Sequence, residues 1–245
     1  MSAAIVELCE QSDPRLLQQV RTSAHFRDAS RIHQSLLAAP EKHALIWMAE
    51  RTPAWINSDH LTLLGFAAQI AAGVCYAAAR SHRAALLAVI ACLALNWLGD
   101  SLDGTLARVR RQPRPRYGFY VDHMIDSFGA LALMGGLALS GYMSVPIAIG
   151  LLIAFLMLSI QSYLATYTMG EFHISFWRFG PTELRILLSV GNLFLLWKPM
   201  VHIFGHAPWP LFDVGGAIGL VGMTLMLVVT TLKNTRHLYT EERIQ

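Results

Sequence analysis

The sequence predicts an all-α integral membrane protein: six transmembrane helices preceded by an amphipathic helix at the membrane interface. Three observations carry this prediction. The 245 residues are 54% hydrophobic and only 14% charged, with a mean hydropathy of +0.44, which excludes an ordinary soluble domain. Apolar runs near bilayer-spanning length recur at Leu61–Ala79, Ala84–Leu102, Phe119–Met143, Ser144–Thr168, Thr182–Phe204 and Leu211–Leu232. Lys and Arg segregate to alternate connections: with a cytoplasmic N-terminus, only Arg80, Arg83 and Lys198 of the 19 fall outside.

In chain order, residues 1–52 read as a cytoplasmic tail and interfacial helix. Residues 53–235 read as the six-helix domain, and 236–245 as a cytoplasmic C-terminal tail. The tail up to residue 30 is polar and without periodicity. No cleavable signal peptide or spanning run occurs in the first sixty residues. From Arg31 to Arg51, apolar Leu36, Leu37, Ile46 and Trp47 mix with Glu41, Lys42 and Glu50. This suits a surface-lying helix broken or begun at Pro40. Both termini are expected in the cytoplasm of a multi-pass protein of the cell membrane. The net charge of +3 reflects that inner-face bias and implies no nucleic acid partner.

Several features read as structural. Trp55, Trp177, Trp197 and Trp209 fall near span boundaries, as an aromatic belt predicts. Cys9, Cys75 and Cys92 have no ligand spacing and read as free thiols. His202 and His206 have zinc-compatible spacing but no acidic or cysteine companion, so they read as interfacial. Asp213 reads as a helix cap. Gly215 with Gly219, and Ala132 with Gly136 and Ser140, form small-residue rows that permit close helix packing within a protomer or in a homodimer.

The chemistry concentrates between Asp100 and Asp126. Asp100 and Asp103 end the second span, while Asp122 and Asp126 are expected in the first turns of the third. Spacings of three and four place each pair on one helix face. Neighbouring helices would then bring four carboxylates to one depth, a cost that defaults to function. Oxygen-only donors select Mg²⁺ or Mn²⁺, and four acids are enough for two ions suited to displacement at phosphorus. Gly104 and Gly118 clear space for a ligand or another backbone, and Arg108 is suited to phosphate oxygens.

The residues Asp100, Asp103, Gly104, Ala107, Arg108, Gly118, Asp122 and Asp126 form the pattern D-x-x-D-G-x-x-A-R-x(9)-G-x-x-x-D-x-x-x-D. This pattern resembles the signature of the CDP-alcohol phosphotransferase family, which is built on six transmembrane helices. The resemblance extends more weakly from about Pro53 through the sixth span.

The resemblance implies transfer of a substituted phosphate from a CDP-linked alcohol to a hydroxyl acceptor, with release of CMP, in phospholipid synthesis. It implies Asp100, Asp103 and Asp122 as ligands of two divalent ions, with Asp126 near the metals and acting as general base. Gly104, Ala107 and Gly118 would line the cytidine pocket, with Arg108 near the phosphates. Asp59 and Thr62 resemble the family's polar entry to the first span, with Ser58 in the usual proline's place; from the residues alone, Asp59 equally reads as an N-cap. His123 beside Asp122 resembles the eukaryotic choline and ethanolamine branch. The assisting glutamate of that branch is replaced by Phe119, so His123 is an accessory base candidate. Gly180-Pro181-Thr182-Glu183 resembles the same branch and places Glu183 and Arg185 towards the acceptor; locally it also reads as a helix cap.

Donor and acceptor remain open: CDP-diacylglycerol with a small polar alcohol, or a CDP-aminoalcohol with diacylglycerol. Family members are commonly homodimeric. The alternative class is a membrane transporter using the aspartate cluster as its cation site.

Overall fold

Long apolar runs punctuated by Pro and Gly fold here into seven helices among the described residues. The computed structural model describes residues 30–32, 38–169, 171–173, 180–202 and 208–243. The expectations for residues 1–29, Cys9, Trp177, Arg178 and His206 lie outside them. Helix α1, expected at the membrane interface, spans Ala38–Arg51. Five helices are long and apolar enough to cross a membrane: α2 (Ser58–Ala79), α3 (Ala85–Val109), α4 (Pro115–Ser140), α5 (Val145–Met169) and α7 (Leu211–Glu241). The fold is a multi-pass helical membrane protein.

The sixth expected span differs. Instead of running to Phe204, α6 covers Pro181–Trp197, only 17 residues. Lys198 precedes Pro199, and the proline ring disfavours helical geometry in the residue before it. Helix α6 nevertheless runs antiparallel along the length of α3. Arg185 reaches Asn96 and Asp100 near one end of α3, and Arg83 at the other end donates to the Leu195 carbonyl at 2.9 Å.

Two further expectations are corrected. Residues 30–32 are not helical: strand β1 (Ser30–Ile32) pairs in parallel with β2 (Glu171–His173). Secondly, Asp122 and Asp126 do not occupy the first turns of their helix. Pro115, whose fixed φ suits the first helical position, starts α4 two turns before Asp122. At the opposite end of the bundle from β1 and β2, β3 (Met200–Val201) pairs antiparallel with β4 (Trp209–Pro210).

Helix α2 is the centre of the bundle, packed on α3 and α4. Glycines set both crossings. A Cβ on Gly99 would stand 2.5 Å from the Gly65 backbone nitrogen, and one on Gly136 would stand 1.9 Å from the Gly73 carbonyl oxygen. The Gly136 row therefore closes α4 onto α2 within the protomer. A Cβ on Gly215, by contrast, would meet nothing within 4 Å. Helix α5 packs on α4 and α7. At the far end, Asp213 is not the expected cap: Pro210 holds the N-cap position of α7, and buried Asp213 instead accepts the Ser144 N–H at 2.6 Å, tying the start of α7 to the α4–α5 turn. Cys75 and Cys92 are free thiols.

Candidate active site

The second half of α3 and the first half of α4 carry the acidic pairs, and α2 stands between them. Asp100, Asp103, Asp122 and Asp126 line a single cleft together with Thr62, Gly65, Gln69 and Asn96. The space enclosed is about 10 Å³, enough for an ion or a water but not for a nucleotide. Asp126 lies within electrostatic reach of the other three acids and of Arg185. Asp103 is buried, 7% exposed, Asp122 is half-buried, and Asp100 and Asp126 lie nearer the surface of the protein.

Each acid is held differently. The Thr62 hydroxyl lies 2.5 Å from Asp103 Oδ2 and 3.1 Å from the Ser58 carbonyl. One hydroxyl carries one proton, and the shorter contact, to the Asp103 carboxyl, is the bond it makes. The other Asp103 oxygen accepts the Gly104 N–H. Asp100 Oδ2 pairs with Arg185 Nη2 at 2.6 Å, with the arginine side chain only 15% exposed.

Arg185 is itself oriented by a polar chain that no spacing rule picked out. Its Nε donates to Asn96 Oδ1 at 2.8 Å, and Asn96 Nδ2 donates to the Gly65 carbonyl at 2.9 Å. Gln69 Oε1 lies 3.4 Å from the same amide nitrogen. Asn96 is buried, so these partners satisfy an amide that would otherwise be costly. The available signal was the i, i+4 spacing of Asn96 and Asp100 on an apolar helix.

The remaining sequence candidates divide. The guanidinium of Arg108 folds back so that Nη1 lies 3.5 Å from where a Gly104 Cβ would stand, and its Nη2 is 3.1 Å from the Thr105 hydroxyl. A Cβ on Gly118 would meet nothing within 4 Å, so the space beside it is open. Ala107 is half-buried on α3, where its carbonyl accepts the Gln112 N–H. Asp59 is not the N-cap of α2: Asn57 is, with His60 Nδ1 accepting the Asn57 N–H in the reciprocal bond. Asp59 pairs instead with Arg114 at the start of α4. Glu183 Oε2 accepts the Gly180 N–H at 2.9 Å, forming the cap of α6.

His123 sits between two rings, 4.1 Å from the Phe119 centroid and 4.7 Å from that of Tyr163. Its Nδ1 faces the Phe119 carbonyl, which can only accept, so the neutral ring carries its proton there. The backbone at 119 thus orients the imidazole, although the side chain there is not an acid.

The donor set suits hard divalent cations in type and charge. Among the described residues, however, no three Asp, Glu, His or Cys side chains already stand at ligand distances. Asp103 and Asp100 are turned to Thr62, Gly104 and Arg185 instead.

A second cavity, of about 530 Å³, lies between α1, α3 and α6. Its walls are apolar, with Ile90, Leu93, Ile186 and Val190 among them, and Glu41, Trp97, Thr182 and Arg185 stand at its polar edge. Arg185 therefore borders both the acidic cleft and the apolar groove.

Comparison with curated proteins returns no match. The CDP-alcohol phosphatidyltransferase family matches residues 55–232, covering α2 through most of α7 and every acid of the cleft. The chain belongs to the CDP-alcohol phosphatidyltransferase family.

Proposed function

We propose that this protein is a metal-dependent membrane phosphotransferase, moving a substituted phosphate from a CDP-linked alcohol to a hydroxyl acceptor and releasing CMP. The observation that carries the proposal is the convergence of four carboxylates on one cleft beside an apolar groove, with Arg185 shared between them. Carboxylates gathered at a membrane end are costly. Divalent cations relieve that cost.

Asp100, Asp103, Asp122 and Asp126 would hold two Mg²⁺ or Mn²⁺ ions, which supply charge neutralisation at the diphosphate. The enclosed space is too small for a nucleotide, so the nucleotide lies across the cleft mouth, against Gly104, Ala107, Arg108 and Gly118. Asp59 and Thr62 flank that surface on α2. The acceptor oxygen attacks the β-phosphorus, and the bond from that phosphorus to the bridging oxygen breaks, so CMP departs with the bridging oxygen. The acceptor's proton passes to Asp126, which the family resemblance makes the general base. His123, one residue from Asp122, is the accessory base. Arg185 fits an acceptor-side role, and Glu183 supports the first turn that carries it. The apolar groove suits the acyl chains of whichever partner is the lipid. Cytoplasmic termini and a cytoplasmic site follow from the Lys and Arg bias.

The test is CMP release in lipid nanodiscs. CDP-diacylglycerol is offered with pooled polar alcohols, and CDP-choline or CDP-ethanolamine with diacylglycerol, each with Mg²⁺ or EDTA. Metal-dependent, acceptor-dependent release is expected from one arm, with Asp126→Asn lowering it by at least about 100-fold. No release from any donor would overturn the assignment. Divalent-cation flux in liposomes without CMP release would replace it with the transporter reading.

A further inference from the structure

Glu41 lies in the first turn of α1, where a negative charge suits the helix dipole and would ordinarily point into water. Its carboxylate turns inward. Oε1 accepts the Trp97 Nε1–H at 2.7 Å and the Thr182 hydroxyl at 3.0 Å, with the Ser101 hydroxyl at 3.3 Å. A tryptophan indole only donates. Glu41 therefore supplies the acceptor that joins the donors of α3 and α6.

The positions of those donors matter. Trp97 and Ser101 each follow by one residue the pair that holds Arg185, namely Asn96 and Asp100. Thr182 precedes Arg185 by three residues, on the same face of α6. The α3–α6 seam thus has two polar rungs. One is Arg185 on Asn96 and Asp100, and the other is Glu41 gathering Trp97, Ser101 and Thr182. The second rung is borrowed from α1 and stands where the apolar groove meets the acidic cleft.

We infer that Glu41 is a positioning residue for the transfer reaction: it pins the first turn of α6 to α3 so that the Arg185 guanidinium stays seated on Asp100. The inference rests on the transferase reading for its kinetic consequence, not for its structural one. Seating α1 on the membrane surface and seating Arg185 in the site become one event. Loosening the rung lowers turnover and leaves capture of the nucleotide, which faces Gly104 and Gly118, unchanged.

The test compares wild type, Glu41→Gln, Glu41→Ala, Arg185→Gln and the Glu41→Ala/Arg185→Gln double variant in nanodiscs. Glu41→Ala is expected to lower kcat about tenfold with less than about twofold change in donor KM, while Glu41→Gln, which keeps an acceptor oxygen, retains about half the activity. In the Arg185→Gln background, adding Glu41→Ala costs less than about twofold, the non-additivity of residues acting through one another.

Undiminished activity of Glu41→Ala, or a tenfold loss that persists without Arg185, overturns the inference. Should Glu41→Ala not fold, Trp97→Phe/Thr182→Val removes the two shorter of its three hydrogen bonds from the other side and must also lower kcat with donor KM unchanged. Hydrogen exchange separates this inference from the transferase reading. Even if the wild type releases no CMP, Glu41→Ala must speed exchange of the 182–186 amides at least about fivefold, and unchanged exchange overturns the inference.

Discussion

Thr62 spends its single proton on Asp103, and that choice sets how this buried carboxylate is presented. A group that orients a metal ligand typically changes metal affinity or activity 10- to 100-fold when removed, so Thr62→Val is expected to raise the Mn²⁺ concentration for half-maximal CMP release by roughly that factor. Thr62→Ser keeps the donor and should titrate near wild type. Equal titrations of Thr62→Val and wild type would show that the hydroxyl does not shape the metal site. A second residue-scale prediction concerns the base. With Asp126 accepting the proton, His123→Gln should cost less than about tenfold in kcat, well short of the loss expected for Asp126→Asn. The reverse order would make the imidazole the principal base. The four aspartates were legible in the sequence because fixed spacings within 27 residues give a pattern that apolar surroundings make conspicuous. Asn96, Gln69, Glu41 and Trp97 were not. Each is a lone polar or aromatic residue whose partner lies 27 to 141 positions away, and no local periodicity encodes such a pairing.

At the scale of the element, the acids meet because two helix crossings bring backbones almost into contact. Gly99 adjoins Asp100, and a Cβ there would press 2.6 Å from the Leu61 carbonyl as well as on Gly65. Backbone cannot move aside as a flexible side chain can, so Gly99→Ala must push α3 away from α2 next to the site. A displacement of about 1 Å at a catalytic constellation costs on the order of 100-fold in rate, and Gly99→Ala is expected to lose CMP release by that order. Gly215→Ala, facing open space, should keep wild-type activity and melting temperature. Full activity in Gly99→Ala would mean the crossing tolerates spreading. The end of α3 offers a change of opposite sign. The N–H groups of Arg111 and Gln112 close back on the Arg108 and Ala107 carbonyls, and Arg111 sits at φ 56°. That left-handed position usually belongs to glycine. Arg111→Gly is therefore expected to raise stability by about 1 kcal/mol, read as a higher melting temperature at unchanged activity. These crossings were only partly legible. The Gly136 row announced itself by its spacing, but nothing local marks Gly65 and Gly99, which lie 34 positions apart, as partners.

At the scale of the molecule, the count of five long apolar helices and the expectation of six crossings are reconciled by α6. Its 17 residues give about 25 Å of helix against the ~30 Å of a hydrocarbon core. Length alone leaves its crossing undecided; its partners argue for one. Arg185 lies level with Asp100, and Leu195 lies level with Arg83, so α6 traverses the same depth as the apolar length of α3. Exposed Trp197 and Lys198 then sit at the far boundary, where an amphipathic ring and a snorkelling ammonium tolerate a short span. Asp213 and Ser144 fix the start of α7 at that far end. A 31-residue helix starting there returns past the acidic end with length to spare. Helix α1 and the last turns of α7 are consequently expected on the aspartate side. In a background without the three native cysteines, Thr240→Cys and Arg116→Cys should label from one face of oriented vesicles, and Ser81→Cys from the other. Thr240→Cys labelling together with Ser81→Cys would mean that α6 turns back inside the bilayer, and the six-crossing topology would fall with it.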